Sequence, residues 1–394
     1  MKKRSHFLVM TAIVAAAGIG IAGSADPKPA PADKLARQLV NDYAQIRDGE
    51  FVQLAGCPAD IDLLESLAVA VRQRGGHPLI TLNSDRLARR LFEEVPARLN
   101  SKAAAFDLKL AGIIDARIQT EFAADDALSG VTADQLEEVA REQREVYALL
   151  RKRKVRLIWL GNGMYPTPAR ARQAGLTTAE LQRVFQAGLE VDRNVLHATG
   201  DRLRNKLAAG KTIHLTSPAG TDLVLGIANR PITISDGVLD EERKRGEAPP
   251  WTWLPAGEVY LVPVPGSGEG RIVIDRYLFG GKEVRGLTVT VKGGQVVDLM
   301  ARSGGEAIQS AFKVAEKGKE IVSSLDFGIN PNVRLPKGCP LPTNIPAGMV
   351  AVALGNNTWA GGDIRIPFSL PLFVGDATVT VDGAAIVEGG NLKP

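Results

Sequence analysis

Up to about residue 205, short apolar runs alternate with amphipathic segments. Apolar runs typical of buried strands lie at 51–56, 78–82, 111–122 and 155–160. Segments whose apolar residues recur every three or four positions, which favour helices, lie at 33–46, 60–74, 85–94, 133–153 and 177–209. Because strands and helices alternate along the chain, the pattern predicts a parallel sheet covered by helices.

Beyond residue 205 the pattern becomes a series of short strand-like runs broken by Gly, Asp and Asn. These runs lie at 212–217, 221–227, 257–264, 270–278, 285–300 and 377–390, and one helix is predicted over 305–320. The predicted fold is therefore an α/β N-terminal domain (a parallel sheet with covering helices) over 33–205, followed by a β-rich α+β C-terminal domain over 206–390.

The N-terminus has the pattern of a secretory signal peptide. Three basic residues precede an apolar run from Phe7 to Ala22, and small residues follow at 23–25. The run is shorter than the roughly 20 residues of a membrane span. We therefore expect residues 1–25 to be a signal peptide and residues 26–32 to be a Pro-rich linker. The mature chain is expected to be exported, and not to be an integral membrane protein.

The charge balance does not favour nucleic acid as a partner. The chain has 48 Lys+Arg and 44 Asp+Glu, and three of the basic residues belong to the predicted signal peptide. The predicted mature chain therefore carries 45 basic and 44 acidic residues, a net charge of +1. Cys57 and Cys339 could oxidise in an exported protein, and the sequence leaves open whether they pair.

Five segments in the C-terminal half form an ordered set of motifs. They are TSPAGTDLVLGIANRP (216–231), ISDG (234–237), LPAGEVYLVPVPGSGEGRIVID (254–275), GINPNVR (328–334) and GMVAVALGNN (348–357). As a set they resemble the thermophilic aminopeptidase family, and the similarity extends over residues 34–388. The resemblance implies a homodimer that releases N-terminal residues from peptides with two metal ions. Zinc, cobalt or manganese would activate a bound water.

When the metal-ligand positions that the family resemblance implies are matched to this sequence, most of them hold residues that cannot bind a metal ion. Glu258 in PAGEV matches the first glutamate. The positions of the second glutamate, the first histidine, the tyrosine and the final His-x-Asp correspond to Ser324, Ala351, Thr358, Phe368 and Leu370. No histidine occurs after His214. The first hypothesis is therefore a degenerate two-metal site, inactive or weakly active, in a protein that binds a peptide or a small molecule.

The second hypothesis is an active aminopeptidase with a rearranged carboxylate site. Asp236, Asp326 and Asp363 would join Glu258, and such hard oxygen ligands suit magnesium, manganese or calcium. A ring-opening dioxygenase shares the scaffold, but it needs the same C-terminal histidines and is disfavoured.

The resemblance also maps three of the four tryptophans near the former metal positions. They are Trp251, Trp253 and Trp359, and we expect them to line a cleft or to pack into the vacated space.

Overall fold

The structure, a computed structural model, describes residues 31–96, 104–121, 133–246 and 248–393. The predicted signal peptide and most of the predicted linker lie outside these ranges. The α-helices of the described residues are α1 (Pro31–Gln38), α2 (Ile61–Gln73), α3 (Asp85–Glu94), α4 (Ala104–Ala111), α5 (Ala133–Lys152), α6 (Pro168–Ala174), α7 (Thr178–Leu189), α8 (Arg193–Ala209), α9 (Glu241–Arg245) and α10 (Glu306–Val314).

The strands fall into three sheets. They are β1 (Phe51–Gly56), β2 (His77–Leu82), β3 (Ala116–Thr120), β4 (Arg156–Leu160), β5 (Thr212–Thr216), β6 (Asp222–Gly226), β7 (Ile232–Ser235), β8 (Trp251–Leu254), β9 (Glu258–Leu261), β10 (Glu269–Phe279), β11 (Lys282–Lys292), β12 (Gln295–Met300), β13 (Val322–Gly328), β14 (Val350–Gly355), β15 (Ser369–Val374), β16 (Thr378–Val381), β17 (Ala384–Glu388) and β18 (Asn391–Leu392).

Sheet A is parallel, with the order β2-β1-β3-β4-β8. Sheets B and C are antiparallel, with the orders β12-β11-β10-β6-β5-β16-β17-β18 and β15-β14-β13-β9-β7. The predicted fold class, an α/β part followed by a β-rich part, is confirmed.

Three local features differ from the sequence expectations. The helical region 177–209 is two helices, because Asp192 leaves the helical conformation and its side chain caps α8. The helix predicted over 305–320 ends at Val314, where Ala315 turns extended. The glycine pattern of the segment 265–271 is typical of a hairpin turn, but the segment leads from β9 of sheet C into β10 of sheet B and so connects two sheets.

Strand β8 ties the two halves of the chain together. Its residues lie in the range predicted for the C-terminal domain, yet it pairs in parallel with β4 and completes sheet A. At the outer side of β8, the Thr252 hydroxyl lies 3.3 Å from the hydroxyl of Ser235 in β7, and both side chains are buried. The domain boundary near residue 205 stays a prediction. Strand β8 lies after this boundary in the sequence but belongs to the sheet of the N-terminal half.

One large hydrophobic core runs through both halves. Leu54 and Leu64 of the first half belong to the same cluster of buried side chains as Val259 and Leu325 of the second. A smaller core lies under α4 and α5 and includes Trp251.

Within the described ranges, no helix has the length and apolarity needed to cross a membrane. Cys57 and Cys339 are both free thiols.

Arg156 is a buried charge at the start of β4. Its side chain is 2% exposed and forms an ion pair of 2.5 Å with Glu50. Its guanidinium also donates to the carbonyl oxygens of Ala44 and Gln45, at 2.7 and 2.9 Å. Arg156 therefore provides hydrogen-bond donors for the carbonyl oxygens at the end of the first helical segment, and it fixes that end to sheet A.

We predict that Arg156→Met lowers the free energy of unfolding by about 3 kcal/mol, because the change removes the cationic partner of Glu50 and the donor to the carbonyl oxygens of Ala44 and Gln45. Arg276→Met is the matched control, since Arg276 pairs with Glu283 on a half-exposed surface and should cost less than about 1 kcal/mol. Urea unfolding of both variants measures the difference. Equal losses in the two variants would contradict the prediction.

Candidate functional site

Glu258, the retained family position, is the first residue of β9 and is 3% exposed. The side-chain amide of Asn162 donates to its Oε1 at 2.9 Å and also to the carbonyl oxygen of Pro255 at 3.2 Å. Asn162 lies in the Gly-Asn-Gly turn that follows β4 at the carboxyl edge of sheet A. The N-terminal half therefore contacts the candidate site directly through an amide.

The turn carrying Asn162 requires glycine. Gly163 has φ +76, and a Cβ there would lie 2.0 Å from the carbonyl oxygen of Pro342. Only glycine allows that close approach. A Gly-Asn-Gly turn between a strand and a helix is a weak indication of a nucleotide-binding loop, whereas the structure uses its central residue, Asn162, to hold Glu258.

Asp326 lies beside Glu258 on the same face of sheet C. It is paired in register with Tyr260, which is two residues from Glu258 on the same strand. Paired residues of antiparallel strands project to one side, and so do residues two apart. The hydroxyl of Ser324 donates to Asp326 Oδ2 at 2.8 Å, while Asp326 Oδ1 is buried without a hydrogen-bond partner. We call Glu258, Tyr260, Ser324 and Asp326 the carboxylate face.

Strands β14 and β15 add only small or apolar side chains to the carboxylate face, whereas β7 places the hydroxyl residues Thr233 and Ser235 opposite Tyr260 and Glu258. Ala351 of β14 pairs with Asp326, and Phe373 of β15 pairs with Ala351. Leu370, one of the mapped positions, pairs with Leu354 in the main core and so lies on the opposite face. Of the other mapped positions, Phe368 precedes β15 and packs against the main core. Thr358 donates its hydroxyl to Asn356 Oδ1 at 2.9 Å.

The structure brings together two of the four candidate carboxylates. Asp236 follows β7, where its carboxylate lies 3.3 Å from His197 Nδ1 and accepts from the amide of Val238. Asp363 is exposed in the loop after Trp359. Across the described parts of the chain, no group of three or more His, Cys, Asp or Glu side chains is arranged to hold a metal ion.

Arg243 brings a positive charge to the carboxylate face. It lies in the short helix α9, which Asp240 caps through its side chain. Its Nη2 donates to the Tyr260 hydroxyl at 2.5 Å, and its guanidinium carbon lies 5.8 Å from the centre of the Tyr260 ring. A run of charged residues such as 240–244 is typical of a solvated turn, and it gives no sign of which of its side chains contacts the site.

Burial controls the protonation of both carboxylates. It raises the pKa of Glu258 to about 7, against smaller lowering effects of the Asn162 hydrogen bond and of the charge on Arg243. Burial also raises the pKa of Asp326 well above its ordinary value, and the negative charge of Glu258 adds to this rise. Glu258 and Asp326 therefore favour their protonated forms, whereas carboxylates that bind a metal ion must be deprotonated.

The four tryptophans form one aromatic chain that ends at the carboxylate face. Trp159 and Trp253 stack with ring centres 5.0 Å apart and planes 9° apart, and Trp251 meets Trp159 edge-on at 5.8 Å. Trp359 contacts Trp253 at 5.7 Å and the Tyr260 ring at 5.0 Å. Of the three tryptophans predicted to lie near the site, Trp359 contacts it through Tyr260, whereas Trp251 is 5% exposed in the smaller core.

The residues of the carboxylate face do not fit a pair of divalent cations. Two such ions need several carboxylate and imidazole ligands, whereas this face offers two carboxylates. The amide of Asn162 donates to one of them, and the cation Arg243 bonds to the neighbouring Tyr260. Beside Asp326 stands Ala351, which has no ligand atom in its side chain.

A sequence model of the thermophilic metalloprotease (M29) family matches residues 30–321, more than half of the chain. The chain belongs to the M29 family. The family resemblance expected from the sequence is thereby confirmed. The M29 match includes Glu258 and ends before Ser324, so the other mapped ligand positions lie beyond it. A search of curated proteins finds no match.

Two solved structures share this M29 fold. Wild-type AmpT from Thermus thermophilus superposes with a TM-score of 0.72 at 17% identity, over 92% of this chain and 99% of its own. The 2,5-dihydroxypyridine dioxygenase from Pseudomonas putida has a TM-score of 0.58 at 14% identity, over 92% of this chain and 96% of its own. At these identities the likeness shows the fold alone.

We predict that the stability of the metal-free protein falls as the pH rises, in part through Glu258. The unfolded chain releases this proton near pH 4.5, whereas the folded chain holds it until about pH 7. The stabilising contribution is therefore complete below pH 4.5, and roughly 3 kcal/mol is lost progressively as the pH rises from 4.5 to about 7. Glu258→Gln should flatten the decline and raise stability at pH 8, leaving the part due to Asp326.

Urea unfolding between pH 5 and 8, with chelator present, measures this effect. Glu65→Gln on the exposed side of α2 is the control and should follow the wild-type curve. Parallel curves for the wild type and Glu258→Gln would show that Glu258 does not retain its proton.

Proposed function

We propose that this chain is an exported M29 protein whose two-metal site is degenerate, and that it binds a peptide or a small molecule without hydrolysing it. The observation that carries the proposal is the carboxylate face. In the place where the family resemblance implies five metal-ligating side chains, this face holds Glu258 and Asp326, flanked by Ser324 and Ala351.

The chemistry of the carboxylate face supports an inactive protein. Hydrolysis of a peptide bond needs an activated water and a positive centre at the carbonyl oxygen. Glu258 and Asp326 are 3% and 4% exposed, so no substrate carbonyl reaches them in this conformation. The positive charge nearby belongs to Arg243, which is engaged with Tyr260.

Ligand binding by such a protein would use the aromatic end of the site. Trp253 and Trp359 are partly exposed, and their rings meet edge-on at 5.7 Å. Partly exposed indole rings offer flat apolar surface with a polar edge, which suits peptide side chains. The homodimer implied by the family resemblance is part of the same proposal.

One observation favours the alternative, an active enzyme with a rearranged carboxylate site. Asp326 Oδ1 is buried without a partner and lies on the same face as Glu258, where oxygen ligands suit magnesium, manganese or calcium. Such a site would still need ligands beyond these two carboxylates, because Asp236 and Asp363 lie elsewhere.

We predict that purified protein contains well below one equivalent of metal per chain. With added zinc, cobalt, manganese, magnesium or calcium, aminoacyl-substrate turnover should stay at the level of Glu258→Ala, because the face lacks ligands. Elemental analysis and a fluorogenic aminopeptidase assay measure both quantities. Asp363→Asn, in an exposed loop, is the matched control. Stoichiometric metal together with turnover that Glu258→Ala abolishes and Asp363→Asn retains would establish the active alternative.

We predict that the exported protein begins at Asp26, because the small residues 23–25 form the exit of the apolar run. Intact-mass measurement and N-terminal sequencing of the exported fraction test the position. In Val14→Asp, a charge interrupts the apolar run, and the full-length chain should stay inside the cell. Export of a chain that keeps residues 1–25 would contradict the prediction and indicate an uncleaved anchor.

A further inference from the structure

A concave basic surface lies between the C-terminal end of α5 and the loop that follows Trp359. Its volume is about 350 Å³. Its charged lining consists of Arg151, Lys152, Lys154 and Arg365, together with the single acid Asp363. We call it the basic pocket. It is separate from the carboxylate face, although the same loop leads from Trp359 to Arg365.

The cations of the basic pocket lack the ion pairs that neighbouring cations have. Arg144, on the same helix, pairs with Glu316, and Arg153 pairs with Asp115 at 3.8 Å. By contrast, the four cations of the pocket have no acidic partner within 4 Å among the described residues. Lys154 donates only to the carbonyl oxygen of Gly246, at 2.9 Å. Within the described chain, the positive charge of the pocket is therefore offset only in part, by the nearby Asp363.

The loop side of the pocket is held rigidly. Asn357 is 2% exposed, and its side chain donates to the carbonyl oxygen of Ser323 at 3.2 Å and accepts from the amide of Ile364 at 2.9 Å. The amide of Gly362 donates to the backbone of Asn357, and a Cβ on Gly362 would lie 2.2 Å from the Asn357 side chain. Asp363 and Arg365 are therefore presented by a fixed loop.

The stability of the fold explains only part of the clustering of positive charges in the basic pocket. Cations in the last turn of a helix are favoured by its dipole, which accounts for Arg151 and Lys152. Arg365 comes from a loop more than 200 residues away, and its charge, after burial, lowers the pKa of Arg151. Asp363 offsets one charge of four. A concave surface lined by like charges concentrates ions of the opposite sign.

We propose that the basic pocket binds a small anion that carries two or more phosphate or carboxylate groups. Its volume lies within the range of small-molecule sites. Two guanidinium groups provide planar pairs of donors that match phosphate and carboxylate oxygens, and the lysines add point charges. The proposal does not depend on whether the carboxylate face is catalytic.

The experiment measures binding of pyrophosphate and of citrate to the full mature chain by calorimetry, starting from the same low ionic strength for both anions. Saturable binding of at least one of them is expected, and it should weaken as sodium chloride is added. Arg151→Gln combined with Arg365→Gln should lower the affinity at least about tenfold, because two charge-assisted contacts are lost. Binding of pyrophosphate alone, citrate alone or both identifies phosphate, carboxylate or charge as the recognised feature.

The control is Lys282→Gln combined with Lys292→Gln, which removes the same charge from exposed positions on β11 and should bind like the wild type. Asp363→Asn should bind the anion more tightly, and this gain does not depend on how well the double arginine variant folds. Absence of binding for both anions, or equal affinities in the two double variants, would overturn the proposal.

Discussion

Two buried carboxyl groups on one sheet face impose the main electrostatic constraint on this protein. Water cannot solvate Glu258 or Asp326, so each must be protonated, hydrogen-bonded or balanced by a positive charge. The fold uses all three means. Burial keeps the protons on, Asn162 and Ser324 donate hydrogen bonds, and Arg243 supplies a cation through Tyr260.

These neutralising groups come from distant parts of the chain, so the site couples the two halves of the molecule. Asn162 belongs to the turn after a strand of sheet A, and Arg243 to a short helix just before β8. The position of β8 in sheet A then places Trp253 against Trp159, and Trp359 joins that stack to Tyr260. A change in how the two halves pack would therefore alter the contacts that Glu258 and Tyr260 make on the carboxylate face.

Periodicity predicted most elements of the parallel sheet, because β1 to β4 are short apolar runs between amphipathic helices. It could not place β8, since a four-residue strand carries no sign of which sheet it joins. Family resemblance identified Glu258 and pointed to Asp326, which the structure brings together. Asn162 and Arg243 were missed because an amide in a glycine turn and an arginine in a charged run acquire their roles only through tertiary contact. Leu370 was mapped to the site, but the register of β15 turns it into the core and presents Phe373 instead.

The membership of β8 in sheet A has a consequence for the order in which the sheet forms during synthesis. Four strands of sheet A are complete once residue 160 has been made, but the fifth arrives only with residues 251–254. Until then β4 is an unpaired edge with exposed backbone groups, a template for pairing with other chains. The α/β half therefore lacks one strand of its sheet until residues 251–254 have been made, and until then the free edge of β4 exposes the nascent chain to pairing with other chains.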